Sequence, residues 1–115
     1  MQRGDIVLVN LPQSADASGH EQTGTRPALV VHDDATSDTL SLIMIVPITS
    51  NLTTQRFSHT ILVQPSAQNG LTMPSTLLVF QLRAIDKRRI VRKIGDIESV
   101  IMDKVNIELK KLLGI

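Results

Sequence analysis

The feature that most constrains the fold of this chain is a change in the spacing of its apolar residues. Short apolar runs separated by turn residues fill most of the 115 residues, and such runs are typical of β-strands. Near the end the spacing changes to three and four residues, the stripe of an amphipathic helix, at Ile97, Val100, Ile101, Val105, Leu109, Leu112 and Leu113. The sequence therefore predicts a mainly β fold, a small barrel flanked or plugged by a C-terminal α-helix.

The apolar runs predict strands at 6–11, 26–32, 40–48, 58–64, 76–85 and 89–94. The polar stretch at 12–25 is predicted to be a loop, and loops of that length in a compact domain are often functional. Asp96 stands where a residue would cap the helix N-terminus, and Gly114 where one would end the helix. Lys110 and Lys111 suit the negative C-terminal end of the helix.

Length and composition limit the classes of protein to which this chain can belong. The chain is long enough to form one domain, at 1–115, with an apolar core that needs no disulfide or structural metal. It contains no cysteine, which excludes disulfides, thiolate metal sites and thiol nucleophiles. The three histidines stand far apart without a carboxylate at ligand spacing, so we expect no metal site and no other cofactor. With no signal-peptide pattern and no apolar stretch near the ~20 residues of a membrane span, we expect a cytoplasmic protein without membrane contact.

Basic residues cluster, although the formal net charge is only +1. Six of them fall close together, at Arg83, Lys87, Arg88, Arg89, Arg92 and Lys93. This cluster predicts either a positive region of the surface that binds a ligand or a solvated face beside a turn. The only aromatic residues are Phe57 and Phe80, too few for a platform that stacks several bases.

The densest group of polar side chains lies in the predicted loop and at its end. It brings a histidine, a carboxylate, an amide and a guanidinium together at His20, Glu21, Gln22 and Arg26. Neighbouring glycines allow a tight turn and the close approach of a ligand to the backbone. Such a segment suits either a ligand-binding loop or a solvated loop in which Arg26 forms an ion pair with Glu21.

Two shorter polar segments accompany apolar runs. The hydroxyls of Thr49 and Ser50 follow directly on a predicted buried strand, as they would in a site or in an ordinary strand-ending turn. Gln81 and Arg83 alternate on one face of another predicted strand, with Asp86 three residues further on. The alternative for this second segment is an Arg83–Asp86 ion pair that stiffens the turn.

Taken in order, these segments resemble the MazF/PemK family of toxins over essentially the whole chain. The resemblance rests on 3–6, 19–31, 46–50 and 81–86 and on the closing helix, and the Glu-Gln-x-Gly-x-Arg-Pro segment is the most specific part. It implies an SH3-like barrel of the CcdB/MazF type, a homodimer, and a sequence-selective, metal-independent endoribonuclease that cuts single-stranded RNA. A cognate antitoxin protein would occupy the groove, and DNA would be contacted only through that antitoxin.

The resemblance also assigns roles to residues. Arg26 matches the family's catalytic arginine, and Thr49 matches the hydroxyl residue paired with it. The substrate contacts that it implies are His20, Glu21, Gln22, Thr23, Ser50, Gln81 and Arg83. Kid/PemK-type members carry an Arg-x-Asp just before the glutamine, and that Asp is implicated in catalysis. Leu78 and Phe80 occupy those positions here, so the chain is expected to rely on the Arg26–Thr49 pair.

The reaction implied by the family is attack by a ribose 2′-hydroxyl on the adjacent phosphorus, which leaves a 2′,3′-cyclic phosphate and a 5′-hydroxyl. Because the nucleophile belongs to the substrate, the protein has to align the attack, stabilise the phosphorane and move two protons. A guanidinium binds two phosphoryl oxygens well, but a pKa above about 12 makes it a poor base. His20 or Glu21 is therefore the candidate general base. Phe57 is a candidate to stack on one base, or alternatively to anchor its loop.

Two other functions fit the predicted fold. A gyrase-poisoning toxin of the CcdB kind would act by binding a protein through the end of its C-terminal helix, and it would not need the Arg26–Thr49 pair. A non-catalytic SH3-like interaction module would not need the pair either. The Glu-Gln-x-Gly-x-Arg-Pro loop favours the ribonuclease over both.

Overall fold

The computed structural model describes residues 1–11, 24–34 and 39–115 of the chain. Within these residues the strands are β1 Asp5–Leu11, β2 Gly24–Val30, β3 Leu42–Thr49, β4 Thr60–Val63, β5 Ser75–Leu78, β6 Arg83–Asp86 and β7 Ile90–Asp96. The helix α1 follows at Ser99–Leu113, and short 3-10 turns lie at Leu52–Arg56, Val79–Gln81 and Lys87–Arg89. The prediction of a mainly β fold with a C-terminal helix is confirmed.

Strand β3 lies at the centre of an antiparallel sheet and pairs with three neighbours. Its first half pairs with β6, its middle with β2, and its last two residues, Ile48 and Thr49, with β5. β1 lies between β2 and β7, and β4 completes the sheet beyond β5. The short turn Lys87–Arg89 joins β6, at one end of the strand order β6-β3-β2-β1-β7, to β7 at the other end, in agreement with the predicted barrel.

Alternate residues of the central strands enter two apolar clusters on opposite faces of the sheet. In β1, Ile6 belongs to one cluster while Val7 and Val9 belong to the other, and all three are fully buried. The first cluster lies under α1, whose Val105 is fully buried against it. The second cluster is formed by β1, β2, β3 and β6 within the curled sheet. Because apolar burial stabilises by about 25 cal/mol per Å², these clusters supply the main driving force for this fold.

Helix α1 ends where the sequence predicts but begins later. Gly114 has a left-handed φ of 71°, and its N–H is donated to the carbonyls of Lys110 and Lys111. The prediction that Asp96 caps the N-terminus is wrong, because Asp96 is the last residue of β7. Glu98 precedes the first helical residue instead, without a side-chain cap bond. β7 runs through the expected cap because its backbone still pairs with β1 there.

The strand predicted at 76–85 is wrong as a single element. Its residues form two strands, β5 and β6, which the 3-10 turn Val79–Gln81 separates. Both strands pair with β3, but with different ends of it. The turn contains neither glycine nor proline, so a prediction from turn residues misses it.

The other predicted strands agree with the structure to within two residues at each end. The predicted loop at 12–25 lies outside the described residues except for Gly24 and Thr25, which already belong to β2. Thr49, predicted to begin a loop, is the last residue of β3. Pairing with β5 keeps Thr49 in the sheet, and the sequence carries no local sign of that pairing.

Asp86 begins the turn that joins β6 to β7. Its carboxylate accepts hydrogen bonds from the backbone amide of Arg88 and from that residue's guanidinium, each at 2.9 Å. These bonds, from the side chain and then from the amide, lower the pKa of the Asp86 carboxyl. The alternative of an Arg83–Asp86 ion pair is therefore wrong, because the carboxylate caps the turn Lys87–Arg89 and binds within it.

Lys93 is a second member of the basic cluster that has acidic partners. Its Nζ lies 2.9 Å from a carboxylate oxygen of Asp96 and 3.1 Å from one of Asp5. Hydrogen bonds to Asp96 and then to Asp5 raise the pKa of Lys93. Part of the positive charge predicted for this region is thus neutralised within the fold.

Candidate active site

Arg26 and Thr49 come from neighbouring antiparallel strands. β2 and β3 are aligned with Ala28 opposite Pro47. The pairing ends there, and Arg26 and Thr49 lie two residues beyond this last pair on their strands. Residues two apart in a strand point to the same face of the sheet. Arg26 and Thr49 therefore place a guanidinium and a hydroxyl on one face of two neighbouring strands.

The two side chains differ in exposure. Arg26 is exposed, near the start of a strand whose last residues are fully buried. Thr49 is only 4% exposed, although it is polar, because it ends a run of buried residues in β3. The pair thus spans the boundary between the solvent and the core, and a ligand would approach it from the side of Arg26.

The segment that follows β3 is held by its own hydrogen bonds. The N–H of Asn51 donates to Oγ1 of Thr49 at 3.1 Å. Oδ1 of Asn51 accepts from the amide and the hydroxyl of Thr53, at 3.2 and 2.7 Å, and so caps the 3-10 turn Leu52–Arg56. A hydroxyl that accepts one hydrogen bond still has a proton to donate. Thr49 is therefore able to donate to a ligand while it keeps its contact with Asn51.

Ser50 and Phe57 lie at the two ends of this segment. Ser50 is exposed, directly after Thr49. Phe57 is half-buried; its ring centroid lies 5.4 Å from that of Phe80, and the guanidinium of Arg56 lies 4.9 Å from its ring centre. These contacts support the anchoring alternative for Phe57, and stacking on an RNA base stays a prediction.

Gln81 and Arg83 do not alternate on one strand face, and that part of the prediction is wrong. Gln81 ends the 3-10 turn Val79–Gln81, whereas Arg83 is the first residue of β6, opposite Ile45 of β3. Ile45 and Thr49 are four positions apart in β3, a distance of about 13 Å at roughly 3.3 Å per residue. The backbone of Arg83 therefore lies further along the same sheet and does not adjoin Thr49.

The remaining predicted site residues, His20, Glu21, Gln22 and Thr23, lie outside the described residues, and their roles stay predictions.

Leu78 and Phe80 occupy the two positions at which Kid/PemK-type members carry Arg and Asp, and both side chains are apolar. Leu78 is fully buried, and the ring of Phe80 contacts Phe57. Neither side chain has a proton to transfer, so any acid or base at the site comes from other residues.

Two residues beside the site were given no role from the sequence. Asn51 supplies the amide that binds Thr49, and its position after two hydroxyl residues is a local turn signal that would have suggested it. Thr76 lies in β5, directly opposite Thr49 in the register of β3 and β5. Nothing local marks Thr76, because the pairing joins residues far apart along the chain.

Three polar residues lie on three successive strands of the sheet and are called the polar row: Arg26 of β2, Thr49 of β3 and Thr76 of β5. Thr76 pairs with Thr49 on one side and with Leu62 of β4 on the other, and Arg26 pairs with Val9 of β1. The planar guanidinium of an arginine can bond two oxygens of one phosphoryl group, and a neighbouring hydroxyl can donate to a non-bridging oxygen of the same group. The arrangement therefore suits the binding of a phosphodiester whose negative charge increases during reaction.

The described residues show neither of two features that would indicate other kinds of site. They contain no group of three or more histidine or acidic side chains placed to hold a metal ion. Among them, no helix has the length and apolar character required to cross a membrane.

Comparison with known proteins adds independent findings. The matching family model describes PemK-like, MazF-like toxins of type II toxin–antitoxin systems and covers residues 2–113. Endoribonuclease PemK of Escherichia coli is 34% identical over 115 residues, covering 98% of this chain and 82% of the relative. Endoribonuclease EndoA of Bacillus subtilis (strain 168) is 28% identical over 115 residues, covering 100% of this chain and 96% of the relative. A chain in the crystal structure of MazE–MazF (Form-II) from Deinococcus radiodurans has a TM-score of 0.74 and 28% identity, covering 100% of this chain and 96% of that chain.

Proposed function

Because the chain belongs to the family of PemK-like, MazF-like toxins of type II toxin–antitoxin systems, we propose that it is an endoribonuclease that cuts single-stranded RNA at selected sequences. Full-length relatives named as endoribonucleases support this activity. The observation that carries the proposal to particular residues is that Arg26 and Thr49 lie on one face of the adjacent strands β2 and β3, each two residues beyond the pair Ala28–Pro47. An exposed guanidinium beside a hydroxyl suits one scissile phosphodiester.

In this proposal the ribose 2′-hydroxyl attacks the adjacent phosphorus, and the bond to the 5′-oxygen breaks. Arg26 bonds two phosphoryl oxygens and stabilises the charge that develops on the phosphorane, while Thr49 donates to a non-bridging oxygen. The products are a 2′,3′-cyclic phosphate and a 5′-hydroxyl. No protein nucleophile takes part, because the attacking group belongs to the RNA, and the reaction as written requires no metal ion.

Two proton transfers complete the reaction. His20 or Glu21 takes the proton of the 2′-hydroxyl, since both are ordinary proton acceptors and both precede Arg26 in the same segment. Arg26 is poorly suited to that role, because a guanidinium is already protonated near neutral pH and has no site that accepts a proton. It is better suited to give a proton to the leaving 5′-oxygen late in the reaction.

Substrate contacts extend beyond the reacting phosphate. Gln22 and Thr23 contact RNA from the loop, Ser50 from the exposed position beside Thr49, and Gln81 and Arg83 from further along the sheet. Phe57 stacks on one base or anchors the segment that carries Ser50. Because Arg83 pairs with Ile45, which lies about 13 Å from Thr49 along β3, Arg83 would contact RNA next to the cut and not the reacting phosphate.

The proposal includes partners and a place of action. A cognate antitoxin protein binds this chain, as supported by the similar fold in the MazE–MazF (Form-II) structure from Deinococcus radiodurans. Two copies of the chain form a homodimer that acts in the cytoplasm, and DNA is reached only through the antitoxin. A CcdB-like gyrase poison and a non-catalytic interaction module are not favoured, because the relatives matched along the whole chain are named endoribonucleases.

One experiment tests the activity directly. The purified chain is incubated with a long RNA in the presence of EDTA, and the ends of every fragment are mapped and analysed chemically. We expect cuts at a short recurring sequence, with 2′,3′-cyclic phosphate and 5′-hydroxyl ends. An oligonucleotide that carries 2′-deoxyribose at the cut site is the matched control and stays intact. Cleavage of that control, or intact RNA in the main sample, would overturn the proposal.

A further inference from the structure

The hydroxyl of Thr76 is an exception to the usual pairing of buried polar groups. Thr76 is fully buried in β5, and within the described part of the chain its Oγ1 has no hydrogen-bond partner. The large majority of buried side-chain polar atoms in proteins have at least one partner. A threonine in this position therefore calls for an explanation, because valine has nearly the same shape and no polar atom to bury.

The location of Thr76 in the sheet supplies an explanation for its buried hydroxyl. In the register of β3 and β5, Thr76 lies directly opposite Thr49, so both side chains point to the same face with Cβ atoms about 5 Å apart. Thr–Thr hydrogen bonds are among the interactions that stabilise such cross-strand pairs. The unpartnered hydroxyl thus adjoins the hydroxyl to which the proposed function gives a catalytic role.

The bonding capacity of a hydroxyl decides what this arrangement does. A threonine hydroxyl has one proton to donate and two lone pairs to accept with. One lone pair of Thr49 Oγ1 already accepts the N–H of Asn51, at 3.1 Å. If the second lone pair accepts the hydroxyl proton of Thr76, both are occupied, and the proton of Thr49 has to point away from the sheet, toward a ligand.

We propose that Thr76 is a positioning residue for RNA cleavage, which donates a hydrogen bond to Thr49 and so directs the Thr49 hydroxyl proton at the scissile phosphate. This inference rests on the proposed function. Thr76 touches no RNA, and its proton stays on its own oxygen throughout. A rotation of its side chain about the Cα–Cβ bond is enough to make the bond, since the two residues already face each other.

The test compares three variants with the wild type. Thr76→Val removes the hydroxyl and keeps the shape, Thr76→Ser keeps the hydroxyl, and Thr72→Val makes the same chemical change at an exposed threonine outside the site. Cleavage of an RNA oligonucleotide gives kcat and KM, and thermal unfolding gives Tm. We expect Thr76→Val to lower kcat about fivefold to tenfold, the value of one ordinary hydrogen bond, with KM unchanged. Thr76→Ser restores kcat to within about twofold, and Thr72→Val does not change it.

The Tm of the variants distinguishes a positioning role of Thr76 from a merely structural one. In the RNA-free fold the Thr76 hydroxyl is unpaired, and it bonds Thr49 only when RNA is bound, so the Tm of Thr76→Val without RNA should equal or exceed that of the wild type. A lower kcat with an unchanged or higher Tm supports the inference, whereas an unchanged kcat overturns it.

A double variant adds a readout specific to Thr49. Thr49→Val combined with Thr76→Val should cut RNA as slowly as Thr49→Val alone, because Thr76 acts through the Thr49 hydroxyl. An equal further loss in the double variant overturns the inference and leaves the proposed function intact. A wild type that cuts no RNA overturns the proposed function, and this inference falls with it.

Discussion

Two groups of polar side chains in this molecule, each built around a fully buried residue, differ in how their members are bonded. The first, the Asn69 cluster, comprises Ser66, Asn69 and Glu98 and joins the turn after β4 to the start of α1. Asn69 is fully buried, and its side chain bonds the backbone at both ends of the turn as well as the Glu98 carboxylate. The second is the pair Thr49–Thr76, in which the described structure leaves the Thr76 hydroxyl without a partner.

The difference teaches what each region does. A polar network with every group bonded makes one backbone arrangement rigid, and this is what the Asn69 cluster does for the turn and the helix start. An unpaired buried hydroxyl lowers stability, so that its presence beside Arg26 and Thr49 suggests a task other than stability. We therefore expect substitutions in the Asn69 cluster to change stability and substitutions in the polar row to change activity.

The largest expected effect is on activity and comes from Arg26→Ala. Removal of one donor that stabilises the transition state typically slows an enzyme by about 10²-fold to 10³-fold. The folded structure should be retained, because the side chain is exposed. Single-turnover cleavage of RNA with EDTA present measures the loss. Arg92→Ala, which removes an exposed guanidinium from β7, is the matched control and should cut RNA normally. A rate for Arg26→Ala close to that of the wild type would remove Arg26 from the site.

The next largest expected effect is on stability. It is tested by comparing two glycines that have the same backbone φ. Gly70 and Gly114 both have a φ of +71°. A Cβ at Gly70 would lie 2.0 Å from the carbonyl oxygen of Ile94, whereas a Cβ at Gly114 would meet nothing within 4 Å.

We expect Gly114→Ala to lower the free energy of unfolding by about 1 kcal/mol, from backbone strain alone. Gly70→Ala should lower it by about 3 kcal/mol, because strain and a backbone clash add. Urea unfolding of both variants measures the difference. Equal losses would mean that the turn beside Asn69 moves aside easily and is not rigid.

The next smaller effect on stability is expected for Asn69→Ala, which should lower the free energy of unfolding by about 2 kcal/mol. The truncation leaves the buried amide of Leu71 and the carbonyl of Gln64 without the bonds that Asn69 makes at 3.0 and 2.9 Å. Asn10→Ala, at an exposed position of β1, is the control and should be neutral. RNA cleavage per folded molecule should stay unchanged in both. A stable Asn69→Ala variant with impaired cleavage would reverse the contrast between the two groups.

The smallest expected effect is a dependence of stability on pH through Glu98. Burial raises the pKa of Glu98, but hydrogen bonds from Ser66, its own backbone and Asn69 outweigh this, so the pKa lies below the ordinary value of 4.5. A carboxylate with a lowered pKa stabilises the fold above its unfolded pKa, and this contribution is lost as the pH falls through the folded pKa.

We therefore expect the Tm of Glu98→Gln to fall less than that of the wild type between about pH 6 and about pH 3. Asp103→Asn removes an exposed carboxylate from the same helix and serves as the control, with a pH dependence like that of the wild type. If the Tm of Glu98→Gln depended on pH as steeply as that of the wild type, the stability that the Asn69 cluster provides would not depend on the charge of Glu98.

Much of the fold and part of the site could be predicted from local patterns. Alternating and three-four apolar spacing indicates strands and a helix because burial on one face imposes the period of the element. Gly114 marked the end of α1 because only a residue without a side chain adopts its left-handed backbone at little cost. Arg26 and Thr49 were named from a family resemblance, and their neighbouring positions in the sheet agree with that choice.

By itself, then, the sequence determined where most strands and the helix lie, because the period of an element depends on residues close together along the chain. Its resemblance to a family supplied the candidate Arg26–Thr49 pair. Only the tertiary structure decided which strands are neighbours: it divided the predicted strand at 76–85 between two ends of β3 and set Thr76 beside Thr49. Strand pairing joins residues far apart in sequence, and its register follows from the packing of whole faces, so no local pattern specifies it. For the same reason Asp96 stayed in β7, paired with β1, although its local surroundings suit a helix cap.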